Sequence, residues 1–328
     1  MKQLIIIGDA VIDTQVMIDD ASVECDFDHG RCRLCLDYAA KVPVKESFQT
    51  VGGDGANVAV GVSKLGFSTA LLTDIGADSN GQIILSTLKK AKVDTNLISI
   101  SKKTPTRYSV VLNFKGERTI LSQHSKRDYV WPKNFPPTDW IYLTGLSEGL
   151  KPLHETLLKY IAKHATVCLA YTPGSHQLKH SVADIRALLP AVDTLIVNLE
   201  EAEKILNTTL KKEKTVAALI HELLKLGPDE VVITDAARGA YAGNIDDVYH
   251  LESFPIKVVS KTGAGDAFSS GYLAAKINGH SPQVALQWGI ANSCGVISAV
   301  GAQAGLLNRK ELEKMIKKYS NIKSEKIN

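Results

Sequence analysis

Short apolar runs alternate with helical patterns along most of the chain. LIIIG (residues 4–8) is the first, an unbroken apolar strand. NVAVGVSKLG (57–66) has helical spacing and closes on a C-cap glycine, Gly66. TALLTDIG (69–76) reads as a strand and GQIILSTLKKA (81–91) as a helix. DWIYLTG (139–145), ATVCLAY (165–171), DTLIVN (193–198) and EVVIT (230–234) all read as buried strands, each followed by a helix or a turn. FPIKVV (254–259) is a further β-rich run. Strand–helix alternation of this kind predicts an α/β fold, a parallel sheet covered by helices on both faces.

Two regions break the rhythm. Residues 14–50 carry no good helix, and residues 104–122 (TPTRYSVVLNFKGERTIL, 104–121, and Ser122) read as a hairpin turning near Lys115-Gly116. Strands that leave a parallel sheet and return predict a small side sheet. Beside the carboxyl ends of the main strands, such a sheet would serve as a lid over a ligand. The expectation is one domain, residues 1–328, with a lid from about 14–50 and 104–122. The open edges of a lid sheet invite pairing, so a homodimer through the lid is an expected assembly. The tail NRKELEKMIKKYSNIKSEKIN (308–328) reads as a charged, fraying helix.

Composition narrows the class. The chain has 328 residues, 45% hydrophobic and 22% charged, as in soluble globular proteins. A net charge of +3 gives no reason to expect nucleic acid or an anionic membrane as partner. No apolar run approaches the roughly 20 residues of a membrane span, and the N-terminus reads as a strand rather than a signal peptide. The expected location is cytoplasmic. The 5 cysteines are odd in number, so disulfides are not expected.

The chemistry concentrates in glycine turns at helix starts. SKTGAGDAF (260–268) lacks the Gly-Lys-Ser/Thr of a phosphate-binding Walker loop and the glycine spacing of a dinucleotide fingerprint. Gly263, Ala264 and Gly265 can still turn N–H groups toward one point at a helix N-terminus, which suits a transferring phosphoryl group. Asp266 at the same mouth can accept a proton from an attacking hydroxyl, or can be an ordinary helix-start acid. VGGDGANVAVGVSKLG (51–66) is a second such turn, with Asn57 able to donate and accept hydrogen bonds. GDAVID (8–13) places Asp9 and Asp13 past the first strand, where two acids suit hydroxyls. In NLEEAEKIL (198–206), Asn198 and Glu201 form a capping box or, alternatively, organise Mg²⁺ waters and phosphate.

The set GDAVID, GGDGANVAVGVSKLG, NLEE, ITDAARGAYAG and TGAGDAF, in this order, resembles the ribokinase-like (PfkB) carbohydrate kinases from about residue 4 to 318. That resemblance implies a three-layer α/β/α sandwich with a mostly parallel central sheet and a small β-sheet lid. It implies ATP, with Mg²⁺, as phosphoryl donor to a hydroxyl of a sugar, nucleoside or related compound. Asp266 matches the general base, and Gly263, Ala264 and Gly265 the anion hole. Asp13, Gly52, Gly53, Asp54 and Asn57 match acceptor binders. Asn198 and Glu201 match the Mg²⁺ and phosphate motif. Thr234, Arg238 and Gly239 match the nucleotide-side loop, and Asn292 lies in the segment that packs the adenine.

Departures from the pattern sharpen the reading. Many members have Asp-Thr where this chain has Ser260-Lys261, and that Asp helps hold potassium, so a monovalent cation loses its usual ligand. Lys261 would supply a fixed charge near the phosphates, or be a solvated loop lysine. Ribokinases proper often carry Lys where this chain has Asp54, and an acid there disfavours a phosphorylated acceptor. Ala236 stands where glycine is common.

ECDFDHGRCRLCLDY (24–38) gives C-x3-H-x2-C-x2-C through Cys25, His29, Cys32 and Cys35. These ligands can close a structural zinc site, with Asp26 and Asp28 as alternatives, or the cysteines can pack reduced as small hydrophobes. Three functions stand: an ATP-dependent sugar kinase, a nucleoside kinase with an aromatic clamp from Tyr38, Phe48, Tyr108 or Phe114, and a non-catalytic sensor. Retention of Asp266 and its loop favours a kinase. Gln123, His124 and Glu148 are the expected selectors of the acceptor.

Overall fold

Leu4, Ile5, Ile6 and Ile7 are all fully buried, which is why the first strand shows no polar alternation. A strand covered on both faces by helices has no solvent side to mark. Each such side chain contributes about 1.5–3 kcal/mol of burial. The computed structural model describes residues 2–26, 31–123, 126–209 and 215–327.

Along the chain, β1 (Lys2–Ile7) leads to β2 (Val11–Ile18), β3 (Ser22–Asp26), β4 (Arg31–Cys35) and β5 (Val44–Gly52). Then come α1 (Asp54–Lys64), β6 (Thr69–Gly76), α2 (Ser79–Lys90), β7 (Ile98–Ser101), β8 (Tyr108–Phe114) and β9 (Glu117–Ser122). The middle holds β10 (Thr138–Leu143), α3 (Lys151–Lys163), β11 (Cys168–Tyr171), α4 (Ser175–His180) and α5 (Val182–Leu188). β12 (Thr194–Asn198), α6 (Leu199–Leu206), α7 (Val216–Leu224), β13 (Glu230–Thr234), β14 (Ala240–Gly243) and β15 (Val248–Leu251) follow. The chain finishes with α8 (Ala264–Ile277), α9 (Pro282–Ile297), α10 (Arg309–Lys318) and β16 (Glu325–Ile327).

Among the described residues the large sheet runs β16-β15-β14-β13-β12-β11-β10-β1-β6-β7. From β7 across to β13 every pairing is parallel, and β14 to β16 add an antiparallel edge. One core cluster joins the sheet to α1, α2, α8, α9 and α10, and the other joins it to α3 through α7. The result is the expected three-layer α/β/α sandwich. A smaller sheet, β5-β2-β8-β9, stands beside it. Its β8–β9 turn falls at Lys115-Gly116 with φ of 48° and 82°, as the hairpin pattern predicts.

Three local expectations change. FPIKVV is irregular, and the edge of β15 away from β14 is taken by β16 instead. The tail therefore ends as a strand beyond a helix that stops at Lys318. The cysteine set also changes. β3 and β4 form a separate hairpin that places Cys25 opposite Cys32, and the two are joined as a disulfide. This corrects both the reduced-cysteine and the zinc expectations, since sulfurs bonded to each other offer no thiolate to a metal. Cys35 remains a free thiol, and no group of three or more potential ligands gathers among the described residues. His29 and Asp28 lie outside the described residues, as does His124. No helix among those described is long and apolar enough to cross a membrane.

The sheet order reverses at β1, whose neighbours are β10 and β6. The crevice beyond its carboxyl end is therefore the place for a ligand. There the backbone of Gly55, in the first turn of α1, meets that of Gly8. A methyl at Gly55 would sit 2.6 Å from the Gly8 carbonyl carbon. Gly55→Ala should lower stability by about 1–3 kcal/mol, measured by urea unfolding, because backbone on both sides leaves no room to yield.

Candidate active site

β1 delivers Asp9 to the crevice, and its main chain is held from two sides. Asp9 N–H donates to Gly145 O at 2.9 Å, and Ala56 N–H donates to Asp9 O at 3.1 Å. The side chain is spent as well. Arg107 forms an ion pair with Oδ2, and the Tyr129 hydroxyl donates to Oδ1 at 3.0 Å. Asp9 is thus a buried anchor with a partner on each carboxylate oxygen, and it still lines the cavity of the site.

The second half of the site is the start of α8. Gly263 caps the helix with φ 77° and ψ 7°, a left-handed conformation that glycine adopts without strain. Its Cα also lies against Ala302, where a methyl would come within 2.6 Å of Cα. The first-turn N–H groups of α8 lack intrahelical acceptors and carry the positive end of the helix dipole. A Cβ on Gly265 would meet nothing within 4 Å, so this turn faces open space. The cradle fits an anion such as a nucleotide phosphate.

Asp266 projects from the same turn. Asn57 Nδ2 donates to its Oδ2 at 2.8 Å, and Gln303 Nε2 donates to Asn57 Oδ1 at 2.9 Å. Burial pushes the Asp266 carboxyl well above the ordinary range, the charge of Asp54 adds to the rise, and the Asn57 hydrogen bond opposes it. Asp54 is raised by burial too. Asp13 is pushed up to about 6 by burial, with Ser109 opposing and Asp54 adding. Glu201 is raised by burial, opposed by the Asn198 N–H and reinforced by Asp54.

A cavity of about 430 Å³ joins these groups. Asp13, Gly53, Asp54, Asn57, Gly263 and Asp266 line it, as their sequence positions predict. Gly52 does not, and pairs with Val11 across β5 and β2. Arg107, Ser109, Arg118, Ser122, Ser175 and His176 also line the cavity, and sequence patterning alone did not mark them. For Ser109, Arg118 and Ser122 the only signal is period-2 alternation in β8 and β9, which shows a face but not what it faces. None of Tyr38, Phe48, Tyr108 and Phe114 lines the cavity. Glu148 lines a neighbouring cavity, where its carboxylate lies 3.8 Å from His176 Nε2. Gln123 touches the site through its main-chain oxygen, which accepts from Arg107 Nε at 3.4 Å.

On the other side of Asp266, a cleft is lined by Asp54, Asn198, Glu201, Thr234, Lys261 and the Gly263–Asp266 turn. Asn198 and Glu201 do form a capping box, each side chain taking the other's N–H at 2.9 Å. Lys261 Nζ pairs with Glu117 Oε1 at 2.8 Å, tying this loop to the tip of the small sheet. A narrower pocket continues past Thr234, Gly239, Gly265 and Phe268. Two further residues expected on the nucleotide side, Arg238 and Asn292, line neither of these pockets. Arg238 turns to Asp235, at 2.6 and 2.8 Å. Asn292 is fully buried, donating to Ala267 O and Ser270 Oγ and accepting from Leu307 N–H, so it has no face toward a ligand.

A helix-start anion cradle and a buried carboxylate, between two cavities on a ribokinase-type sandwich, define a phosphotransferase that uses an alcohol acceptor. Residues 14–309 match the pfkB family of carbohydrate kinases, and the chain belongs to that family. It is 25% identical over 312 residues to 5-dehydro-2-deoxygluconokinase of Halalkalibacterium halodurans, covering 88% of this chain and 94% of that one. It is 26% identical over 283 residues to fructokinase of Klebsiella pneumoniae, covering 82% and 92%. Arabidopsis thaliana ribokinase, solved with ribose and ATP, superposes with a TM-score of 0.78 at 21% identity, covering 96% and 99%. The nucleoside kinase of Methanocaldococcus jannaschii has the same fold, with a TM-score of 0.77, 19% identity and coverage of 97% and 99%.

The Asp266 carboxyl should titrate above the ordinary carboxylate range in a carbon-13 NMR titration. Asp54→Asn removes a negative neighbour, so the Asp266 midpoint should move to lower pH. A midpoint unmoved by that change would show that Asp54 does not act on it.

Proposed function

We propose that the protein transfers the γ-phosphoryl group of ATP to a hydroxyl of a monosaccharide or sugar derivative, with Asp266 as general base. The supporting observation is that Gly263 and Asp266 line both cavities at once. An acceptor in the 430 Å³ cavity meets Asp266 from one side. Phosphate in the cleft meets the first-turn N–H groups of α8 from the other. Asp266 takes the proton of the attacking hydroxyl, and its raised proton affinity suits that task near neutral pH. The N–H groups stabilise negative charge on the group in transfer.

Asp13 and the Ser109 and Ser122 hydroxyls supply the hydroxyl-recognising wall, Arg107 and Arg118 add cationic groups to it, and His176 adds an imidazole. No Phe, Tyr or Trp ring among the described residues lines the cavity, which favours a sugar over a nucleoside base that would need stacking. Magnesium arrives with the nucleotide. Glu201 and Asp54 are acids on the cleft side; burial raises the proton affinity of both, so a cation there would offset the cost of holding them charged. The small sheet acts as a lid, since β2, β8 and β9 supply one wall of the cavity. Its edges, β5 and β9, are open to a second copy, and Ile120 and Leu121 on β9 are exposed. A cytoplasmic setting agrees with the use of ATP.

Two measurements test this reading. ADP release should appear with one class in a panel of pentoses, hexoses, sugar acids, sugar phosphates and nucleosides. Asp266→Asn should leave the fold and ligand binding intact and cut turnover roughly 100-fold or more, as for loss of a general base. Near-wild-type turnover in that variant would remove Asp266 from the chemistry.

A further inference from the structure

We propose that Gln303 is a positioning residue for phosphoryl transfer: it fixes the amide of Asn57, and through Asn57 it holds and aims the Asp266 carboxylate. The inference rests on the reading of Asp266 as base. Gln303 Nε2, Asn57 Oδ1, Asn57 Nδ2 and Asp266 Oδ2 form one chain, with links of 2.9 and 2.8 Å. Its direction is chemically determined. An ionised carboxylate only accepts, so Asn57 must present its NH₂ end to Asp266. The other end of that amide is a carbonyl, and a donor facing it selects the orientation. Gln303 supplies the donor. Without it, the flipped amide would bring its carbonyl oxygen against the carboxylate.

The loop that carries Gln303 is built to hold this position. Its next-door residue Ala302 packs against Gly263, so one segment supports both the base and the anion cradle. Past Gln303 the loop is fastened twice. Lys64 Nζ donates to Leu306 O at 3.1 Å, and Leu307 N–H donates to Asn292 Oδ1 at 3.0 Å. The buried Asn292 therefore serves the site at a distance, through the loop. Gln303 does not line the acceptor cavity, so it is placed to orient a reacting group rather than to touch substrate.

The test compares the intact enzyme with Gln303→Leu, similar in size but without a donor, and Gln303→Ala. Turnover should fall about 10- to 100-fold, the range for a reacting group displaced by a fraction of an ångström to an ångström. The KM for nucleotide should stay within about 2-fold, as for loss of an interaction made at the reacting group alone. The acid limb of kcat against pH should move to higher pH, because a loosened Asn57 bond stabilises the Asp266 anion less. In an Asn57→Ala background the same Gln303 changes should have almost no further effect, since the intermediary is gone. The proposal is overturned if kcat and the acid limb stay at wild-type values while Asp266→Asn is inactive. It is equally overturned if Gln303→Leu costs as much with Asn57 absent as with Asn57 present. A variant that only melts earlier, with full turnover per folded molecule, would assign Gln303 to stability and also overturn it. An active Asp266→Asn would instead bring down the reading of the base itself.

Discussion

One hydrogen bond joins residues 209 positions apart, from Asn57 Nδ2 to Asp266 Oδ2. It brings the N-termini of α1 and α8 to a single point, and the geometry of the site follows from that meeting. Each helix reaches the point by a close backbone approach. Gly55 meets Gly8 at the end of β1, and Gly263 meets Ala302. Both helices lie on the same face of the sheet and share one core cluster. The two positive dipole ends then point into the same small volume.

That convergence balances an unfavourable feature. Asp13, Asp54, Glu201 and Asp266 crowd the junction of the two cavities; burial raises each, and the charge of Asp54 adds to the rise of the other three. An acid whose folded proton affinity exceeds its unfolded one favours folding at low pH. The advantage fades as pH rises through the folded value. For Asp13 the window runs from the ordinary 3.8 to about 6. At neutral pH these acids cost stability, as functional sites commonly do. Burial first, and the charge of Asp54 after it, make Asp266 a stronger base than a solvated aspartate.

The root and the tip of the small sheet are held differently. At the root, the buried pairs Arg107–Asp9 and Arg127–Asp74 tie the entry to β8 and the segment after β9 to the main sheet. Removing one partner of such a pair leaves a buried charge, which is strongly destabilising. At the tip, the exposed Lys261–Glu117 pair lies in solvent, where ion pairs contribute little. The small sheet is therefore firm where it meets the main sheet and lightly fastened where it meets the loop before α8.

The alternation of apolar runs and helical patterns was enough to determine the sandwich, because a strand buried on both faces must be apolar throughout. The glycine turns 52–57 and 263–266 were legible for a similar local reason. Left-handed backbone and close approach exclude other residues, and an acid at a helix start is visible in sequence. Only the tertiary structure decided who their partners are. Arg107 and Gln303 carry no local mark of a role, since each acts on a residue far along the chain. Asn292 and Arg238 lie in the expected segments, but burial encloses one and Asp235 pairs with the other. Cys25, His29, Cys32 and Cys35 have a spacing that fits a metal site, and Cys25 and Cys32 one that fits a hairpin bridge. Strand pairing, a contact between chain segments and not a property of either, decided for the bridge.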